Sequence, residues 1–140
     1  MTTATRAFHW DEDFDLVRNF LIESFRIAPY QNWIPSRFEN LRFGPCGSEY
    51  KDSRDEFIKI WESEFSSERG IVAVTVLEPD REGWLLVHPL HKNVERDIIK
   101  WMEERTRALA DPSESSELRI MSRSVDTERI RLLEKIGYEK

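Results

Sequence analysis

The sequence predicts an α+β domain built in α/β layers, with a mostly antiparallel central sheet flanked by helices. Three observations predict it. GIVAVTVLEP (70–79) is nearly all apolar, as a strand covered on both faces would be. EFIKIWES (56–63) and GWLLVHPL (83–90) flank it, joined to it through FSSER and DRE, connections of hairpin length that make the three strands antiparallel neighbours. Helical spacing then brackets this block, with Phe14, Val17, Leu21 and Phe25 before it and Val94, Ile98, Trp101, Met102, Arg105 and Leu109 after it.

The elements follow in order. TRAFHW (5–10) alternates weakly and reads as a short strand. DEDFDLVRNFLIESFRI (11–27) opens on Asp11, Glu12 and Asp13, which suit the positive end of a helix dipole. Pro29 stops that helix, and Pro35 begins a second, PSRFENLRF, at its first position. GPCGSEYKDS (44–53) is a loop by composition. The three strands come next, then the helix NVERDIIKWMEERTRAL (93–109), the loop DPSESSE and the strand LRIMSRSV (118–125). DTERIRLLEKIGYEK (126–140) is a helix capped by Asp126 and stopped at Gly137, a residue suited to the left-handed conformation at helix ends. The predicted order is β-α-α-β-β-β-α-β-α.

Length and charge bound the function. A chain of 140 residues is most simply a single domain, long enough to bury about 68–70% of its unfolded surface. Its net charge of −6 offers no basic footprint for nucleic acid. No apolar run approaches about 18 residues and MTTATRAFHW has no signal-like core, so no membrane partner is expected. The single cysteine, Cys46, has no internal disulfide partner, which fits a reducing cytoplasm.

Three stretches together resemble the GNAT superfamily of acyl-CoA-dependent N-acyltransferases. IVAVTVLEPDREGWLLVHP looks like its central hairpin, whose second strand ends in Val-x-Pro and splays from its neighbour. LHKNVERDIIKWMEE stands where the cofactor loop and its helix belong, and LRIMSRSVDTERIRLLEKIGYEK is similar to the late strand and helix that close on a Lys-Leu-Gly-Phe-like signature, here KIGY. The resemblance covers nearly all of 1–140 as one GNAT-like domain. It implies transfer of an acetyl group from acetyl-CoA to a small amine or a protein amine; separately, the three His and nearby acids show no metal-ligand spacing, so no metal is expected. The pantetheine would pair with the splayed strand at Leu86, Val87 and His88. The pyrophosphate would lie on the helix N-terminus over Lys92, Asn93, Val94, Glu95 and Arg96, where helix amides and dipole attract anions.

The chain also departs from that pattern. The turn LHKNVER contains no glycine, although the usual loop relies on glycines to bring backbone close to phosphate. Leu133 stands four residues before Gly137, where active members usually carry the Tyr that protonates the thiolate, and Asp126 stands where an Asn often meets the cofactor. The strand that usually follows KIGY is missing from a sequence that stops at Lys140. A homodimer or a tandem second domain is the expected source of that strand, and a degenerate N-terminal copy of a tandem protein fits both departures. Two functions therefore stay open, an N-acyltransferase and a GNAT-fold module without catalysis that serves assembly, ligand sensing or an active partner domain.

Individual candidates also keep two readings each. His88 is a candidate general base, titrating near neutrality, or a structural residue at a strand end. Glu78 is a candidate base pointing into the cleft, or a carboxylate at the hairpin end facing water. Cys46 is a reactive thiol or an inert one. Glu62, Glu64, Glu68 and Arg69 read as a solvated turn, and Trp33, Trp61, Trp84 and Trp101 as packing residues.

Overall fold

The computed structural model describes residues 3–29, 31–44, 57–63, 70–78, 81–109 and 117–140. The elements run β1 (Thr3–Ala7), α1 (Trp10–Ile27), α2 (Pro35–Phe43), β2 (Ile58–Ser63), β3 (Ile71–Leu77), β4 (Glu82–Val87), a 3-10 turn (Pro89–Val94), α3 (Glu95–Leu109), β5 (Arg119–Met121) and α4 (Thr127–Ile136). The strands lie in the order β1-β2-β3-β4-β5. The first four are antiparallel neighbours, whereas β4 and β5 run parallel, pairing Glu82–Trp84 with Arg119–Met121. The sheet is thus mostly antiparallel, as its sequence predicts.

Each face of the sheet carries its own core. On one side, α1 and α2 bury Phe14, Val17, Leu21 and Phe38 against Ile58, Ile60, Val74, Val76 and Leu86. On the other, α3 and α4 bring Ile98, Ile99, Met102 and Leu133 against Val72, Leu85 and Val87. That explains why β3 reads as an unbroken apolar run: its alternate side chains enter two separate cores. Gly83 lets α3 lie close on β4, since a Cβ there would stand 2.7 Å from Met102 Sδ.

The α3 stripe differs from the one its periodicity predicts. Its buried residues are Glu95, Ile98, Ile99, Met102 and Thr106, while Trp101 is only half-buried and Leu109 is exposed. Trp101 instead meets Trp61 edge-on at 6.4 Å, with the Lys59 ammonium 5.6 Å from its ring. The seam turns because Glu95 enters it, a charge buried against a partner on α4.

Other boundaries shift for local reasons. β1 ends at Ala7 instead of reaching Trp10. Phe8 and Trp10 turn into the aromatic core, and the Asp13 carboxylate accepts the His9 N–H at 2.9 Å to start α1. β5 has three residues, because the chain must turn at Ser124 and Val125 before Asp126 caps α4. Asp126 accepts the Arg129 N–H at 3.2 Å, and Gly137 closes the helix at φ 107°, both as expected.

Glu62 is not part of a solvated turn. It is 7% exposed and bonds the Arg6 guanidinium, which also grips Asp13 with two 2.8 Å contacts and so ties β1, β2 and α1 together. Burial pushes the Asp13 carboxyl up, but the Arg6 guanidinium and the His9 amide outweigh it and hold the group below its ordinary value. Glu64, Glu68 and Arg69, like Cys46 and most of 44–53, lie outside the described residues.

Candidate functional site

The site begins where β4 leaves β5. Pairing between them ends at Trp84 and Met121, yet β4 continues to Val87, opening a gap on its outer edge. Backbone groups alternate along an antiparallel pair. The Glu78 N–H donates to the Glu82 carbonyl at 2.8 Å and the His88 N–H to Val72 at 2.9 Å, so the even-numbered residues of β4 bond inward to β3. Leu86, opposite Val74, is therefore turned inward, and Val87 presents its N–H and C=O to the gap.

Those two groups already have a partner. The Asn32 side chain, on the link between α1 and α2, donates from Nδ2 to the Val87 carbonyl at 2.7 Å. The Val87 N–H donates to Asn32 Oδ1 at 3.1 Å, and Asn32 is 3% exposed. Nothing in its sequence context, QNWIP, announces this role.

After Val87 the chain passes through His88 into the 3-10 turn. His88 is 9% exposed, and its Nδ1 accepts the Leu90 N–H at 3.2 Å. That bond leaves the ring proton on Nε2, 3.9 Å from Glu23 Oε1. The His91 ring lies 5.3 Å from that of His88, and burial, with the neighbouring His88 second, lowers the His91 pKa.

The turn carries positive charge, but that charge is spoken for. Lys92 Nζ lies 2.5 Å from Asp126 Oδ1, 3.8 Å from Glu128 and 3.9 Å from Glu95. Arg129, 3% exposed, donates to Glu95 at 2.7 Å and lies 3.6 Å from Asp126. Glu95 and Asp126 are each 2% exposed, so the network joins the first turn of α3 to the cap of α4 in the interior. Val94 is buried, whereas Asn93 and Arg96 are exposed. Leu133, at the position of the usual Tyr, is buried in the α3–α4 core.

Glu78 stands at the other end of the hairpin. Its carboxylate is 3.6 Å from Arg37, whose guanidinium stacks over Trp33 and Trp84 at 4.6 and 4.3 Å. Glu78 pairs with Glu82, and His88 lies six residues further along, about 20 Å at the rise of an antiparallel strand. The two candidate bases thus do not share one site. No group of His, Cys, Asp and Glu able to hold a metal occurs among the described residues.

A parallel edge pair that splays beside a helix N-terminus invites comparison with known folds. A crystal structure of a GCN5-related N-acetyltransferase from Sphaerobacter thermophilus aligns with a TM-score of 0.71 at 17% identity, covering 98% of this chain and 43% of that one. The chain has the GCN5-related N-acetyltransferase fold. Two further solved structures cover 99% of it and 94% of their own length, each with a TM-score of 0.52. They are a GCN5-related N-acetyltransferase from Ralstonia eutropha JMP134, 14% identical, and an acetyltransferase from Trypanosoma brucei, 12% identical. No protein-family model and no curated protein matches the sequence. Among the described residues, no helix of this GCN5-related fold is long and apolar enough to cross a membrane.

Proposed function

We propose that this chain is a GCN5-related domain that works within an N-acetyltransferase without itself carrying the transfer of acetyl from acetyl-CoA to an amine. The observation that carries this reading is Glu95. A carboxylate in the first turn of α3 already answers the helix dipole, and Arg129 fixes it there at 2.7 Å. A pyrophosphate arriving at the same helix end would meet that fixed negative charge and a Lys92 committed to Asp126. In this reading Leu86, Val87, His88 and 92–96 form the inherited shell of an acyl-CoA site, and Glu78 and His88 are packing residues.

Calorimetry with acetyl-CoA tests this. The expected result is no measurable heat at millimolar ligand, since of Lys92 and Arg96 the first is committed to Asp126 and the second alone is exposed to recruit phosphate. Were weak binding present, Lys92→Ala with Arg96→Ala should abolish it. Binding in the low micromolar range, or acetyl transfer by this chain alone, would refute the proposal.

The transferring partner is proposed to be a second domain of the same fold, in this chain or in another copy. The Sphaerobacter structure supports that, because the chain spans 43% of a longer acetyltransferase. We place the contact at β5, one of the two outermost strands among the described residues, which lines a groove of about 740 Å³ with Leu118, Ile120, Ile130, Leu133 and Tyr138. Unpaired strand edges pair readily with other chains. Residues 1–140 alone should therefore sediment as a dimer that Ile120→Lys weakens. A monodisperse monomer at high micromolar concentration argues against this placement.

A further inference from the structure

We infer that Asn32 is a built-in occupant of the amide-reading edge of β4, so that the cleft is closed by a side chain of this protein to extended, amide-bearing ligands such as a pantetheine arm. The inference deepens the reading above and rests on it. It concerns a different contact from the ion network around Glu95.

The chemistry of Val87 sets the requirement. An outward N–H and C=O on one residue are the pair a neighbouring strand would use, and each needs its complement on the partner. Leaving them buried and unmet would be costly, as for any desolvated backbone group. A ligand that meets both must carry a donor and an acceptor side by side. A carboxylate has no donor, and an ammonium has no acceptor. An amide has both, and Asn32 is the side chain that brings one here, at 2.7 and 3.1 Å.

The position of Asn32 is fixed from a second direction. The next residue, Trp33, is 1% exposed and meets Trp84 edge-on at 5.5 Å. Trp84 is the last residue of β4 paired with β5. The α1–α2 link is therefore held on both sides of the point where the strands part, by Trp33 on Trp84 and by Asn32 on Val87. A residue that merely finished a strand end would need only one bond. This one reproduces the two-point contact of a facing residue, from 55 positions away in sequence.

Because the occupant is tethered, an external amide competes against a high effective concentration and loses. Removing the tethered amide should reverse that. The probe is pantetheine, which has two amides and no phosphate, so the ion network near Glu95 does not enter. The readout is amide exchange and the nitrogen-proton resonance of Val87.

In the wild type, millimolar pantetheine should leave both unchanged. In Asn32→Ala, Val87 protection should fall by about tenfold or more, the scale of one hydrogen bond, and millimolar pantetheine should restore it. If Asn32→Ala does not fold, Asn32→Ser serves: its single, shorter hydroxyl cannot meet the Val87 N–H and carbonyl together, so it should likewise lower Val87 protection and admit pantetheine. A folded variant in which Val87 stays protected, or gains nothing from pantetheine, overturns the inference. So does a wild type that binds pantetheine at Val87 as well as the variant. Low-micromolar acetyl-CoA binding by the wild type would instead strike the functional reading, so the two failures are distinct.

Discussion

Replacing Phe38 by Ala is expected to lower the unfolding free energy by about 3–5 kcal/mol, the range for removing a large buried aromatic side chain. Phe38 is fully buried, stacking on Phe14 at 5.4 Å and on Trp10 at 5.8 Å, and meeting Phe8 edge-on at 5.9 Å. It is also the only fully buried residue of α2. The other side chains of that helix are partly or wholly exposed, with Leu41 packed at the edge of the core and Phe43 edge-on to Phe14 at 5.6 Å, so Phe38 is its deepest anchor. Its loss creates a cavity and also frees the helix that follows Asn32 and Trp33. Urea unfolding monitored by tryptophan fluorescence measures the effect. A loss below about 1 kcal/mol would mean that α2 is anchored in some other way.

Arg129→Met should be comparably severe, at about 3–5 kcal/mol, because breaking a buried ion pair strands its partners. Glu95 and Asp126, both 2% exposed, would be left with Lys92 as their remaining neighbouring cation, 3.9 and 2.5 Å away. Adding Glu95→Leu removes one stranded carboxylate and should recover most of the loss, since apolar replacements of buried ion pairs are often neutral or better. Denaturation of the two variants side by side decides it. Equal destabilisation of the single and double variants would show that the Glu95–Arg129 contact is not the unit that matters.

The element order was legible because it is written in runs of chemistry. An unbroken apolar β3, short polar links, Pro35, Asp126 and Gly137 each dictate local backbone without help from distant residues. The α3 seam was misread where a distant residue intervened: Glu95 could enter it only because Arg129 on α4 neutralises it. The candidate site was legible in outline and not in state. Lys92 was visible as a charge near a helix start, but its partner, Asp126, lies 34 positions on. Asn32 carried no signal, since an Asn before Trp-Ile-Pro reads as a loop residue until the fold sets it against Val87.

The separation between Asn32 and Val87 also imposes an order in time. β2, β3 and β4 pair across short links, whereas the Asn32 contact closes a span of 55 residues and β1 pairs Thr3 with Ser63. Closing a long loop costs more chain entropy than closing a short one, so non-local contacts tend to follow local ones. The β2–β4 meander is therefore expected to assemble first, with the outer edge of β4 still bare. During that interval the nascent domain exposes an unpaired strand to other chains, and the α1–α2 link acts as a late-arriving chaperone of its own sheet. Pulse-labelled exchange in which Val87 gained protection together with Val74, and not after it, would rule this sequence of events out.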